Sequence, residues 1–164
     1  MRAEGFVRSY YEALRRGEPL SPYFRESGTT VKFGISESLF GYDDVSAALT
    51  EQTRTTEEWT VESERLVVDE PVDGVATFGD EVALGWTDRE RDERRSFDTR
   101  WSGTIVARSS DDPGIRDADS VGEDSDEEES GRRGAKSTSG PDAETHVTPP
   151  WAFATMHVSA AHEL

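Results

Sequence analysis

From Ala3 to Arg16 the apolar residues Phe6, Val7, Tyr10, Tyr11 and Leu14 recur at helical spacing on one stripe, while the charged residues mostly lie off it. The spacing predicts an amphipathic helix that stops near Gly17. After Pro19, Leu20-Ser21-Pro22-Tyr23-Phe24 predicts one helical turn that adds Tyr23 and Phe24 to the core. Thr29 to Ile35 then alternates, putting Val31, Phe33 and Ile35 on one face of a strand. Val45, Ala48, Leu49 and Gln52 return to helical spacing, so a second helix is expected from an Asp43 N-cap to about Thr53. Three strand-like stretches follow, over 58–68, 74–79 and 81–87, with turn chemistry read at Glu70 to Gly74 and at Gly79-Asp80.

Two further stretches read as strands of one hairpin: Arg94 to Arg108, and Trp151 to Ser159. The tract between them, 109–148, has almost no hydrophobic content and is expected to be a disordered acidic insert in the hairpin loop, because it cannot bury enough apolar surface to offset ordering entropy. Without it, about 125 of the 164 residues remain, which suits one domain with one core, built from 1–108 and 149–164. Helices in front and a meander of long strands behind imply an α+β class, with N-terminal helices covering one face of a curved antiparallel sheet that forms a cone.

Charge adds a second layer. Acids number 35 against 18 bases, a net of −17, and Lys32 and Lys136 are the two lysines among bases that are otherwise arginine. The tract 109–148 holds twelve acids and four bases, so −8 lies there and −9 on the rest. The acidity is therefore global, the surface expected where high salt screens self-repulsion, and it disfavours nucleic-acid phosphates. No cysteine is present, which removes disulfides and thiolate metal sites, and three scattered histidines give no structural zinc set. The run Glu123 to Glu129 lacks the alternating ligands and central glycine of a calcium loop. No metal, cofactor or membrane span is expected, and the protein is read as cytoplasmic.

Tyr10 to Gly17, Phe40-Gly41-Tyr42-Asp43-Asp44-Val45, and Thr99-Arg100-Trp101-Ser102-Gly103-Thr104 with Trp151 and Met156-His157-Val158-Ser159 together resemble the SnoaL-like branch of the nuclear transport factor 2-like superfamily, in a salt-adapted form. The order and spacing of these pieces carry the resemblance, which spans nearly the whole chain apart from 109–148. It implies a cone-shaped pocket and homodimerisation through the outer sheet face. The superfamily spans cyclases, isomerases, dehydratases and non-catalytic assembly domains, among which fold alone does not choose.

On the Arg94 strand one parity holds Phe97, Thr99, Trp101, Gly103 and Ile105, and the other holds Ser96, Asp98, Arg100, Ser102 and Thr104. Hydrophobicity alone buries the first row. The resemblance instead turns Arg100 into the cone and leaves Trp101 and Phe97 for a dimer partner, and that arrangement is preferred here. Arg100 then binds a carbonyl or anionic oxygen of a small-molecule ligand, with Ser159 nearby. His157, on the parity of Trp151, Phe153, Thr155 and Ser159, is the candidate catalytic histidine. Asp98 is a candidate base, although Arg100 beside it opposes that role. Glu37 precedes an irregular stretch, and Glu57, Glu58 and Glu62 read as a solvated face, so none is directed inward. Tyr11, Trp59 and Trp86 are expected to line the ligand site with rings packed and polar tips free. His146 and His162 are expected in solvent.

Two functions remain open on these grounds. One is a small-molecule-binding cone, with isomerase, cyclase or dehydratase chemistry on a compact apolar substrate; the other is a non-catalytic homodimerisation or binding module. The global acidity makes its own prediction: the melting temperature climbs from low to molar salt, as screening relieves the net −9 of the folded part. A flat or falling melting temperature across that range would count against salt adaptation.

Overall fold

The structure, a computed structural model, describes residues 1–109 and 148–161. The elements named below belong to the unit formed by Met1–Ala107 with Trp151–Leu164; Arg108–Pro150 form a separate unit. The expectations for disorder over 110–147 and for exposure of His146 and His162 concern residues outside those described.

Helix α1 runs over Ala3–Arg16 and buries Phe6, Val7, Tyr10, Tyr11 and Leu14, the predicted stripe. It ends at Gly17, whose φ of 69° is left-handed and favours glycine. A 3-10 turn at Ser21–Tyr23 leads to β1 (Val31–Phe33) and β2 (Ser38–Phe40). Helix α2 (Tyr42–Thr55) begins two residues earlier than expected, with Gly41 rather than Asp43 as N-cap and Asp43 and Asp44 in its first turn. Strands β3 (Thr56–Ser63), β4 (Val67–Val72), β5 (Val75–Asp88), β6 (Glu93–Ala107) and β7 (Trp151–Ala160) complete the unit.

The seven strands form one sheet in the order β2-β1-β7-β6-β5-β3, with β4 also paired to β5. All pairings are antiparallel except β1 with β7, which run parallel. The stretch read as one strand over 58–68 divides into β3 and β4, whereas the two read over 74–79 and 81–87 fuse into β5. Gly79-Asp80 is thus no turn. Asp80 sits mid-strand, and its carboxylate accepts hydrogen bonds from the Tyr11 hydroxyl at 2.8 Å, the Ser63 hydroxyl at 2.6 Å and the Arg65 N–H at 2.9 Å. The acceptor that marks turns in sequence serves here as a buried tie between the helix and two parts of the sheet.

Which face each strand shows to the helices follows from the long β5–β6 ladder. Its register sets Asp80 opposite Trp101, Leu84 opposite Phe97 and Ala76 opposite Ile105, so the Phe97–Ile105 row faces inward. Trp101 is only 5 % exposed, with ring centroids 6.1 Å from Tyr10 and 5.3 Å from Tyr11. The expectation that Trp101 and Phe97 look outward toward a partner is therefore corrected. Burying a large aromatic stripe under α1 outweighs the parity suggested by resemblance.

A bulge then resets β7. Thr104 pairs with Thr155 but Ile105 pairs with Phe153, so Ala154 is the extra residue. Trp151 and Phe153 are buried before it, and Met156 and Val158 after it, while Thr155 and His157 are exposed. The single parity expected for Trp151 through Ser159 is broken at that point. Gly103 makes the close approach possible: a Cβ there would lie 2.2 Å from the Thr155 carbonyl oxygen and 2.9 Å from the Phe78 ring. Gly103→Ala should therefore cost about 1–3 kcal/mol of unfolding free energy, the usual range for forced overpacking, in chemical denaturation. An unchanged midpoint would show that β7 does not press on β6 here.

Candidate functional site

Between the helices and the concave face of the sheet lies a cavity of about 400 Å³. Its apolar wall comes from Leu84, Trp86, Trp101, Met156 and Val158 on the sheet, Leu14 on α1 and Ala48 on α2. Trp59 and Trp86 also line it, stacked with ring centroids 4.8 Å apart and planes at 21°, and Phe97 continues the stack 5.5 Å from Trp86. The Trp59 indole N–H donates to Thr56 Oγ1 at 2.8 Å, which fixes the ring at the end of α2. Flat aromatic walls with few polar groups are the usual lining of a small-molecule site.

Of the charged residues that line the cavity, Glu37 is partly exposed and Glu51 exposed at its rim, Glu51 paired with Arg54, and the buried one is Lys32. Strand β1 lies in parallel register with β7, pairing Lys32 with Met156 and Phe33 with His157. Since Met156 faces inward beyond the bulge, so does Lys32, while Val31 and Phe33 take the outer face. The lysine side chain is 7 % exposed, and its Nζ donates to Glu37 Oε2 at 2.7 Å. Glu37 stands on the β1–β2 turn and is 38 % exposed. The turn is closed by the Gly34 N–H donating to the Glu37 carbonyl at 2.9 Å. An ammonium in an apolar cavity requires such a partner, because stripping its water without an anion is costly.

Tyr10 adds a second polar group. The residue is buried and lines the cavity, and its hydroxyl has no hydrogen-bond partner among the described residues. Burial, with smaller contributions from the charge of Glu37 and from Tyr23, drives its pKa well above the ordinary phenol range. It is therefore a neutral donor at any working pH. Gln52 of α2 borders the same space.

The expected site residues divide between this cavity and elsewhere. Trp59 and Trp86 line it. Tyr11 does not: its hydroxyl is committed to Asp80, and burial followed by that hydrogen bond pushes its pKa upward. Arg100 and Asp98 are exposed on the outer face, with Arg100 opposite Glu81 on β5 and Ser159 on β7. His157 is exposed on that face too, its ring 5.8 Å from Phe33, and with Ser159 it borders a second pocket of about 430 Å³ shared with Gly34 and Phe97. The expected placement of Arg100 in the cone, and with it the catalytic role read for His157 there, is therefore corrected: the β7 bulge and the inward Trp101 row put both on the other side of the sheet. Glu37, read as irregular and not inward, is the carboxylate that reaches the cavity lysine. Lys32 was hidden by the alternation Val31-Phe33-Ile35, although the scarcity of lysine in this chain was a signal that pointed to it.

Among the described residues no group of histidine, aspartate or glutamate is arranged to hold a metal, and no helix is long and apolar enough to cross a membrane.

No protein-family profile matches the chain, and no curated protein does. Solved structures do. A nuclear transport factor 2-like superfamily protein from Salmonella enterica superposes with a TM-score of 0.64 at 11 % identity, covering 97 % of this chain and 88 % of the other. A candidate dehydratase of the nuclear transport factor 2-like family from Streptomyces avermitilis gives 0.64 at 12 % identity, over 98 % and 94 %. A ketosteroid isomerase-like protein from Erwinia carotovora atroseptica gives 0.61 at 10 % identity, again over 98 % and 94 %. The fold is thus the α+β, nuclear transport factor 2-like class, which at such identities says nothing further about chemistry.

Proposed function

We propose that this chain is a SnoaL-like small-molecule-binding protein whose ligand is compact, largely apolar and flat, with one carbonyl or anionic oxygen set against Lys32 and the Tyr10 hydroxyl. The observation that carries this reading is a buried ammonium and an unpartnered phenol lining one cavity, whose sheet wall is tryptophan and aliphatic and whose rim adds Glu37, Glu51 and Gln52. Stacked Trp59 and Trp86 favour a planar ligand, since offset ring stacking adds to the area buried. A cation with a carboxylate 2.7 Å away and a neutral phenol lining the same cavity are also the parts needed for proton transfer next to a carbonyl. Isomerisation and dehydration, the activities named for similarly folded proteins, are the reaction classes to assay.

A separate observation favours homodimerisation through the outer face, anchored away from Trp101. Phe40 is 60 % exposed, its ring 5.8 Å from Phe33, and it pairs with Val31 on the same face. An exposed aromatic patch of this kind suits an interface anchor.

Thermal-shift screening of a metabolite library tests the cavity. A ligand at a hundredfold excess over its Kd stabilises the folded state by about 2.7 kcal/mol, so carbonyl- and carboxylate-bearing aromatic hits should raise the melting temperature. Lys32→Met should keep or slightly raise the melting temperature without ligand, because an apolar chain replaces a buried charge, and should lose the shift for those hits. Hits that survive in Lys32→Met would remove Lys32 as the anchor. For the interface, Phe40→Asp should turn a dimeric mass into a monomeric one in light scattering; wild type already monomeric at micromolar concentration would dispose of that reading.

A further inference from the structure

The Lys32–Glu37 pair is built unevenly. Lys32 is 7 % exposed and mostly covered where it stands in the wall, whereas Glu37 is 38 % exposed and sits on a short turn at the rim. The buried cation must always face an anion, but nothing in the cavity requires that anion to be Glu37. Glu37 can be fully rehydrated by a side-chain rotation; Lys32 stays mostly covered.

Gly34 shapes the same contact. A Cβ on Gly34 would lie 2.7 Å from Glu37 Oε2 and 2.8 Å from its Cγ, so the carboxylate reaches Lys32 only by folding across the bare backbone of this glycine. The obstacle to a side chain at Gly34 is therefore the mobile end of Glu37 itself.

Resting on the ligand-binding reading above, we infer that Glu37 is an internal stand-in for the ligand's own anion, and that the cavity's ligand class is an aromatic monocarboxylate which displaces Glu37 from Lys32. In the empty protein Glu37 neutralises the lysine. On binding, the ligand carboxylate takes over the contact with Nζ, Tyr10 donates to its second oxygen, and Glu37 swings from the rim into water. The internal carboxylate competes with the ligand, so it weakens binding of every anionic guest while leaving neutral guests untouched. It also repels the entering carboxylate until it has moved, which rejects ligands carrying a second negative charge near that end.

The distinguishing experiment titrates the full chain and its variants with 1-naphthoate and with neutral 1-naphthamide, following tryptophan fluorescence and calorimetry. Glu37→Gln should tighten 1-naphthoate roughly 5–10-fold, the scale of losing a partly exposed ion-pair competitor, and leave 1-naphthamide unchanged. Gly34→Ala should shift naphthoate affinity the same way while retaining Glu37, because the added methyl pushes the carboxylate off Lys32. Lys32→Met should abolish the preference for naphthoate over naphthamide. Unchanged or weaker naphthoate binding in Glu37→Gln, with both probes bound by wild type, would overturn the inference and leave the cavity reading standing. Absence of binding by either probe to every variant would overturn both.

Discussion

The contact of β7 with β6 at Gly103 decides what the concave face contains. Because no side chain stands at that position, the Thr155 carbonyl can press close, and Ala154 is squeezed out as a bulge. Beyond it Met156 and Val158 turn inward and His157 turns outward. Parallel pairing passes that choice to β1, where Lys32 follows Met156 into the cavity and Phe33 follows His157 out of it. One missing methyl group thus selects a lysine over a histidine as the polar residue of the interior.

Among the described residues two ionic side chains are buried, Asp80 and Lys32, and they are satisfied in opposite ways. Asp80 takes three hydrogen bonds from Tyr11, Ser63 and the Arg65 backbone, all within the protein and from neutral donors. Such an acid is fully occupied and acts as a structural tie between α1 and the sheet. Lys32 has one strong partner, held on a rim turn and half in water. A group whose needs are met by fixed neighbours stabilises; one met by a movable neighbour remains open to exchange. This difference, more than burial, separates the tie from the site.

Much of the architecture was legible in the chain. The α1 stripe at Phe6, Val7, Tyr10, Tyr11 and Leu14 and the stop at Gly17 are local properties, and they appear as read. Hydrophobicity alone also placed the Trp101 row inside, and preferring the outward placement over it was the error. The site residues were less legible because their direction is set by long-range register. The bulge at Ala154 arises from a backbone approach between strands far apart in sequence, and no side-chain pattern in Trp151 to Ser159 announces it. Asp80 misled for a related reason: its short acceptor reads as a turn wherever its partners are unknown. Trp59 and Trp86 were found at the cavity because large aromatics in a half-covered sheet have few other places to go.

The scarcity of lysine gives the folded unit an unusual chemical handle. Apart from the Met1 amine, its single amine is the Lys32 ammonium, enclosed by the cavity and held by Glu37. Acylating reagents that reach ordinary surface lysines find no such target on this body. The rate at which Lys32 is modified then becomes a clock for the turn that carries Glu37: each opening exposes one amine, and any guest that closes the space slows the reaction at one identifiable mass.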